Sequence, residues 1–114
     1  MEMNSSTARS EVPPGTLDLL VLKTLEGGPR HGYGIARRIH QLSHDVLKIE
    51  EGSLYPALQR MLVKGWLTAE WRLSDNNRRA RYYQLTPAGR RQLRVEVSEF
   101  ERVMQAIARV IQTA

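Results

Sequence analysis

A mainly α (α+β) fold class is predicted by three changes of rhythm in this 114-residue sequence. Apolar residues recur at helical spacing in three successive segments before Gly65. The period then falls from about 3.6 to 2 between Leu67 and Thr86, the mark of two strands with one buried face. From Leu93 to Ile111 the apolar spacing is 4, 3, 4, 3, 4, which is a heptad seam. Three helices, a hairpin and a long last helix compose a winged helix-turn-helix with a two-stranded wing and a long C-terminal dimerisation helix. The expected boundaries are a flexible N-terminal arm over 1–12, a winged-helix domain over 13–86 and the dimerisation helix over 87–114.

The composition allows one compact domain, with 41% hydrophobic and 25% charged residues. Seventeen Lys and Arg stand against 12 Asp and Glu, a formal charge of +5. That balance favours an anionic partner, nucleic acid or a membrane surface. The chain has no Cys, which excludes disulfides, thiol catalysis and Cys-based zinc sites. No apolar run approaches the ~20 residues needed to cross a bilayer, and the polar start lacks the apolar core of a secretory signal. A cytoplasmic protein without membrane association is expected.

Each element has local support. Pro13-Pro14-Gly15 ends the arm, and Thr16 is placed to cap a helix over Leu17–Glu26, with Asp18 in its first turn. Leu17, Leu20, Val21 and Leu25 form one stripe of that helix, while Leu19 and Leu22 lie off it. So apolar a helix needs cover on more than one side, part of which a second subunit could supply. Gly27-Gly28-Pro29 stops it. The second helix runs from near Gly32 to Ser43, with Ile35, Ala36, Ile39 and Leu42 inward and Arg37 and Arg38 outward. Gly32 and Gly34 in its first turn either weaken it or permit close backbone approach. Asp45–Ile49 reads as a short connector.

The stretch Glu50–Trp66 is the candidate reading element. Leu54, Ala57, Leu58, Met61 and Leu62 take the core side, leaving Ser53, Pro56, Gln59, Arg60, Val63 and Lys64 outside. Small, amide and cationic side chains on a rigid rod are the types that touch base edges and phosphates. Gly65 suits the left-handed position past a helix end. Tyr55 falls at the margin of the two faces, so either its ring packs as a core-edge residue or its hydroxyl reaches a phosphate. Arg60 fits either a bidentate guanine contact or a phosphate.

Leu67, Ala69, Trp71 and Leu73 then alternate with Thr68, Glu70 and Arg72, and Trp66 and Trp71 are expected in the core. Ser74-Asp75-Asn76-Asn77 is turn chemistry, and Arg81–Thr86 returns with Tyr83 and Leu85 on one face. Arg72, Arg78, Arg79, Arg81, Arg90, Arg91 and Arg94 face a single acid in this region, Asp75. Beside a helix-turn-helix, such a run points to anion contact. Thr86-Pro87 opens the last helix. Its seam of Leu93, Val97, Phe100, Met104, Ile107 and Ile111 is narrower than a core stripe, and it is read as a dimer interface. Two-fold symmetry would set two reading helices about one DNA turn, ~34 Å, apart.

Other chemistry finds little footing. His40 and His44 are spaced i, i+4 but lack a partnered carboxylate or Cys and any H-E-x-x-H pattern, so no metal is expected. No nucleophile elbow, Walker-type or dinucleotide-binding stretch occurs; no cofactor and no catalytic residue are expected, and the chain is not read as an enzyme. Two alternatives to DNA binding are a winged-helix protein-interaction module and a small-molecule carrier without regulatory function.

Several motifs in order at the right spacing then resemble the PadR family of transcriptional regulators. They are Leu25–Pro29 with His31-Gly32-Tyr33-Gly34-Ile35, Gly52-Ser53-Leu54-Tyr55-Pro56-Ala57-Leu58, Gly65-Trp66-Leu67, and Arg81-Tyr82-Tyr83-Gln84-Leu85-Thr86-Pro87-Ala88-Gly89. The similarity covers about residues 15–112, with the single C-terminal helix of the short subgroup. It implies a bacterial, nucleoid-associated homodimer, usually a repressor, on a palindromic operator of a transporter or detoxification operon. Some such repressors release DNA on binding a hydrophobic or aromatic small molecule. It implies further that the helix carrying Ser53, Tyr55, Pro56, Gln59, Arg60 and Lys64 enters the major groove. Tyr33 and Arg37 of the second helix hold the backbone, and Arg78, Arg79 and Arg81 serve the wing. Where ligand-binding members place a Trp in the last helix, this chain has Phe100: the ring is present and the indole is not.

Overall fold

The computed structural model describes residues 10–12 and 15–113. The elements in order are β1 (Ser10–Glu11), α1 (Leu17–Leu25), β2 (Arg30–His31), α2 (Gly32–Leu42), β3 (Leu47–Lys48), α3 (Glu51–Val63), β4 (Leu67–Leu73), β5 (Arg79–Leu85) and α4 (Pro87–Thr113). The three short helices, the hairpin and the long last helix stand where the apolar periods place them. Three two-residue strands do not follow from those periods. β2 pairs antiparallel with β5, through Arg30 opposite Tyr83 and His31 opposite Tyr82, so the wing sheet has three strands in the order β2-β5-β4. β1 pairs parallel with β3, which corrects two expectations. The end of the arm is strand rather than loose chain, and the connector after α2 carries its pairing edge. The rest of the arm lies outside the described residues.

α1 is the centre of the core. Leu19, Val21, Leu22 and Leu25 are buried, Leu17 and Leu20 partly so, and the helix touches α2, α3, α4 and β5. The cover that so apolar a helix requires therefore comes largely from its own chain. Ile35 and Ile39 of α2 and Leu54, Ala57, Leu58 and Met61 of α3 close over it. Each such large side chain contributes about 1.5–3 kcal/mol by leaving water. Leu42 does not join them, being 58% exposed at the end of α2.

Thr16 at the start of α1 makes no side-chain cap bond, whereas the ends of α2 and α3 follow their local chemistry. His31 caps α2, its Nδ1 accepting from the Gly34 N–H at 3.0 Å. Ser43 takes the turn onward: its Oγ donates to the His40 carbonyl and accepts from the Leu47 N–H. His44 and Asp45 are left-handed beyond that point. His40 and His44 thus do not share a helix face, since the helix has ended at Leu42. α3 ends with the Gly65 N–H donating to the Leu62 carbonyl and the Trp66 N–H to the Met61 carbonyl, with Gly65 at φ +78°.

β4 departs from its pattern. Leu67 is buried and Ala69 partly so, but Trp71 and Leu73 are 59% and 61% exposed. The alternation is correct in phase, but the hairpin runs past the core, leaving nothing to cover its far half. Trp71 is therefore not a core residue. Trp66 is partly buried against the core. At the hairpin tip the Ser74 N–H donates to the Arg78 carbonyl and the Asn77 N–H to the Ser74 carbonyl, with Asn77 left-handed.

α4 begins on a tight joint. Thr86 donates from its N–H to the Trp66 carbonyl and from Oγ1 to the Gly65 carbonyl, while Oγ1 accepts from the Gly89 N–H. A Cβ on Gly89 would stand 2.1 Å from the Trp66 carbonyl oxygen. Helix propensity alone favours Gly89→Ala by about 0.5–1 kcal/mol. The close approach instead requires backbone displacement of the kind that costs about 1–3 kcal/mol. Gly89→Ala is accordingly expected to lower the stability measured by urea denaturation, reversing the sign that propensity sets.

Candidate nucleic-acid interface

α3 presents Ser53, Tyr55, Pro56, Gln59, Arg60 and Val63 as exposed residues, opposite the buried face of Leu54, Ala57, Leu58 and Met61. Its outer face is small and mostly uncharged. Pro56 has no N–H to give the Gly52 carbonyl one turn back. Tyr55, at the flank, is 44% exposed with its ring over the start of α2: a Cβ on Gly32 would meet the Tyr55 hydroxyl at 2.7 Å. Gly32 is therefore the close-approach glycine of α2's first turn. Burial, then the charge of Glu51 and of Tyr83, raises the Tyr55 phenol above the ordinary tyrosine value. On the other flank, Arg60 donates to Asp18 of α1 at 2.8 Å. Lys64, past the helix end, has its ammonium 4.6 Å from the centre of the Trp66 ring.

Two hollows are closed by the wing, and the second of them reaches α3 at Tyr55. The first, about 580 Å³, lies between α2 and the wing and is lined by Arg30, Arg37, Arg38, Arg78 and Arg79 with a single acid, Asp75. The second, about 430 Å³, includes Tyr33, Tyr55, Trp71, Tyr83, Arg79 and Arg81. Guanidinium groups stack on rings here: Arg79 lies 5.3 Å from the Trp71 ring centre and Arg81 5.9 Å from that of Tyr83. Arg72 lies over Tyr82 and also pairs with Glu70 at 2.9 Å. The result is a neutral helix face with a cationic, aromatic wall beside it. Such a surface can neutralise a phosphate backbone while leaving base edges to uncharged side chains.

The sequence-selected residues divide between these places. Tyr33 and Arg37 of α2 meet Arg78 and Arg79 at the first hollow, and Arg81 joins Tyr33 and Tyr55 at the second. Arg90, Arg91 and Arg94 are not on the hairpin but on the first turns of α4. Arg30, Arg38 and Trp71 belong to the surface, although sequence reasoning did not select them for it. Arg38 was legible as an outward cation beside Arg37; Arg30 needed β2, and Trp71 needed the length of the hairpin. On α4, Leu93 is buried and Val97 partly buried, whereas Phe100, Met104, Ile107 and Ile111 are 39%, 40%, 45% and 75% exposed.

Comparison with known proteins decides the lineage. A profile of the Transcriptional regulator PadR-like family matches residues 21–95, well over half of the chain. The chain belongs to the PadR-like family of transcriptional regulators. It is 31% identical over 100 residues to an uncharacterised protein X of Lysinibacillus sphaericus, covering 87% of this chain and 91% of that one. It is 37% identical over 71 residues to the transcriptional regulator Rv3488 of Mycobacterium tuberculosis, covering 62% of each chain. The fold matches a PadR family transcription regulator of Clostridium difficile at a TM-score of 0.73 and 27% identity, covering 85% of this chain and 99% of that one. The chain shares the winged-helix DNA-binding fold of that PadR regulator, and among the described residues no helix is long and apolar enough to cross a membrane. The matched segment ends at Val95, so most of the exposed stripe of α4 lies beyond it.

The raised Tyr55 phenol has a pH consequence. Its neutral form is favoured in the folded chain, so the stability it contributes is fully present below the unfolded value of about 10. That contribution falls as pH rises from there through the higher folded value. Urea denaturation between pH 8 and 11 is expected to show a shallower alkaline loss for Tyr55→Phe than for the wild type.

Proposed function

We propose that this PadR-like regulator is a homodimeric repressor that binds a palindromic operator. The observation that carries the proposal is the pairing of an uncharged α3 face with the arginine-lined hollow between α2 and the wing. In this reading Ser53, Pro56, Gln59 and Arg60 meet base edges in the major groove. Tyr33, Tyr55, Arg37 and Lys64 steady the flanking backbone, and Arg78, Arg79 and Arg81 of the wing neutralise phosphates. Association with the nucleoid follows from that binding. The regulated genes are those of a transporter or detoxification operon, as the family resemblance implies.

The dimer rests on α4. Its 27 residues reach about 40 Å, and beyond Val97 the apolar seam has no cover from its own domain. Phe100, Met104, Ile107 and Ile111 are spaced for a partner helix, and a contiguous exposed stripe of this kind marks an interface. A hydrophobic or aromatic effector would enter between the paired helices beside Phe100 and relieve repression from there.

Sequence-selection binding on random duplexes tests the reading, and recovery of a palindrome with two half-sites about one turn apart is the expected result. Failure of the folded protein to retain any duplex at low salt would refute it. Arg78→Ala with Arg79→Ala should weaken binding to every sequence and flatten the slope of log affinity against log salt by up to about 2, near 0.9 for each phosphate no longer neutralised. Ile107→Glu should yield a monomer in sedimentation velocity, with the secondary structure of the head retained. Persistence of the dimer would remove the distal seam from the interface.

A further inference from the structure

α3 carries one cationic side chain, Arg60, which is half-exposed and held by an acid of another helix. Its Nη2 donates to Asp18 Oδ1 at 2.8 Å, joining residues 42 apart in sequence. Asp18 stands in the first turn of α1, where a helix dipole favours a carboxylate, and its side chain is 23% exposed against 52% for Arg60. Between Arg60 and the Tyr55 flank lie Pro56, Gln59 and Val63, all exposed and uncharged. Apart from Lys64 past the helix end, the cations proposed to meet phosphates are on α2 and the wing. Charge has thus been removed from the part of the surface that reads bases and concentrated beside it.

We infer that Asp18 is a specificity-determining residue, which holds Arg60 off the phosphates of arbitrary sequence and yields it to a base edge of the operator. The inference rests on the DNA-binding reading above. A free Arg60 at this position would neutralise one phosphate of any duplex, adding affinity without discrimination. Closed on Asp18, it gains nothing by exchanging one oxyanion for another, and a phosphate drawn to it also meets the Asp18 carboxylate. Only a helix fully seated in the groove brings a base edge whose two acceptors fit the guanidinium fork. Exposed ion pairs are weak, so Asp18 sets a several-fold bias and not an on–off gate.

The experiment measures affinity for the selected operator and for a random duplex across a salt series, using the full-length protein. Asp18→Asn is expected to tighten random-duplex binding several-fold and to steepen its salt slope by about 0.9, the increment for one more phosphate neutralised. It should tighten operator binding less, so that the specificity ratio falls. Arg60→Ala should weaken operator binding while the random-duplex slope stays at the wild-type value. In Asp18→Asn with Arg60→Ala the gain on random duplex should vanish. Survival of that gain without Arg60 would assign it to the removed carboxylate alone and overturn the inference, as would an unchanged slope in Asp18→Asn. A flatter random-duplex slope in Arg60→Ala would also overturn it, because Arg60 would already be on a phosphate. Urea denaturation of each variant separates these effects from loss of folding, and Arg60→Gln replaces Arg60→Ala if the latter unfolds. If the wild type binds neither duplex, the DNA-binding reading itself fails; if it binds and the variants disagree, only the role of Asp18 does.

Discussion

The backbone joint between the end of α3 and the start of α4 is the constraint on which the remaining geometry depends. Thr86 bonds to the carbonyls of Gly65 and Trp66, and Gly89 lets α4 lie against the Trp66 carbonyl with no side chain between. Hydrogen bonds to backbone at this spacing leave little freedom of angle. The direction of α4 is therefore set by the point at which α3 stops. α1 packs on both helices. Any rotation of α4 is consequently felt at α3, the element proposed to enter the groove. If an effector acts between paired α4 helices, this joint is the physical route by which it would alter DNA affinity.

Charge is distributed as unevenly as the joint is rigid. The formal charge of +5 is not spread over the surface. Arg30, Arg37, Arg38, Arg78 and Arg79 converge on one hollow, while the outer face of α3 keeps Ser53, Pro56, Gln59 and Val63. Aromatic rings reinforce the separation, because Trp71 and Tyr83 hold the guanidinium groups of Arg79 and Arg81 against the sheet. A guanidinium stacked on a ring loses less side-chain freedom on meeting a phosphate than one waving in solvent. The exposed Trp71 thus has a use that its position in a strand pattern does not suggest.

The helices, the hairpin and the heptad seam were legible in the sequence because each spans at least two periods of its own pattern. β1, β2 and β3 were not, since two residues contain no period at all. The phase of β4 was readable from Leu67, Ala69, Trp71 and Leu73, but not the place where its cover ends, which depends on how far the core extends beneath it. Of the candidate site, the outer residues of α3 and the wing arginines could be selected from periodicity and charge. Their neighbours could not. The Tyr55–Gly32 and Arg60–Asp18 contacts link residues distant in sequence through the packing of α1, α2 and α3, and no local rule contains that information. Even so, a weaker helix and a close backbone approach were the two readings open for Gly32 and Gly34, and Gly32 takes the second.

α4 divides into two parts, and as far as Val97 it still touches its own head through Leu93 and Val97. From Phe100 onward the seam keeps its 4, 3 spacing although no residue of the described chain covers it. A helix packing only on its own domain needs apolar residues only as far as that domain reaches, and a solvated extension would lose them. Their continuation to Ile111 fits the proposed dimer, because a heptad seam is most simply matched by another copy of itself. In the proposed dimer the head would provide the reading face, and the distal half of α4 would fix the distance and angle between two such faces.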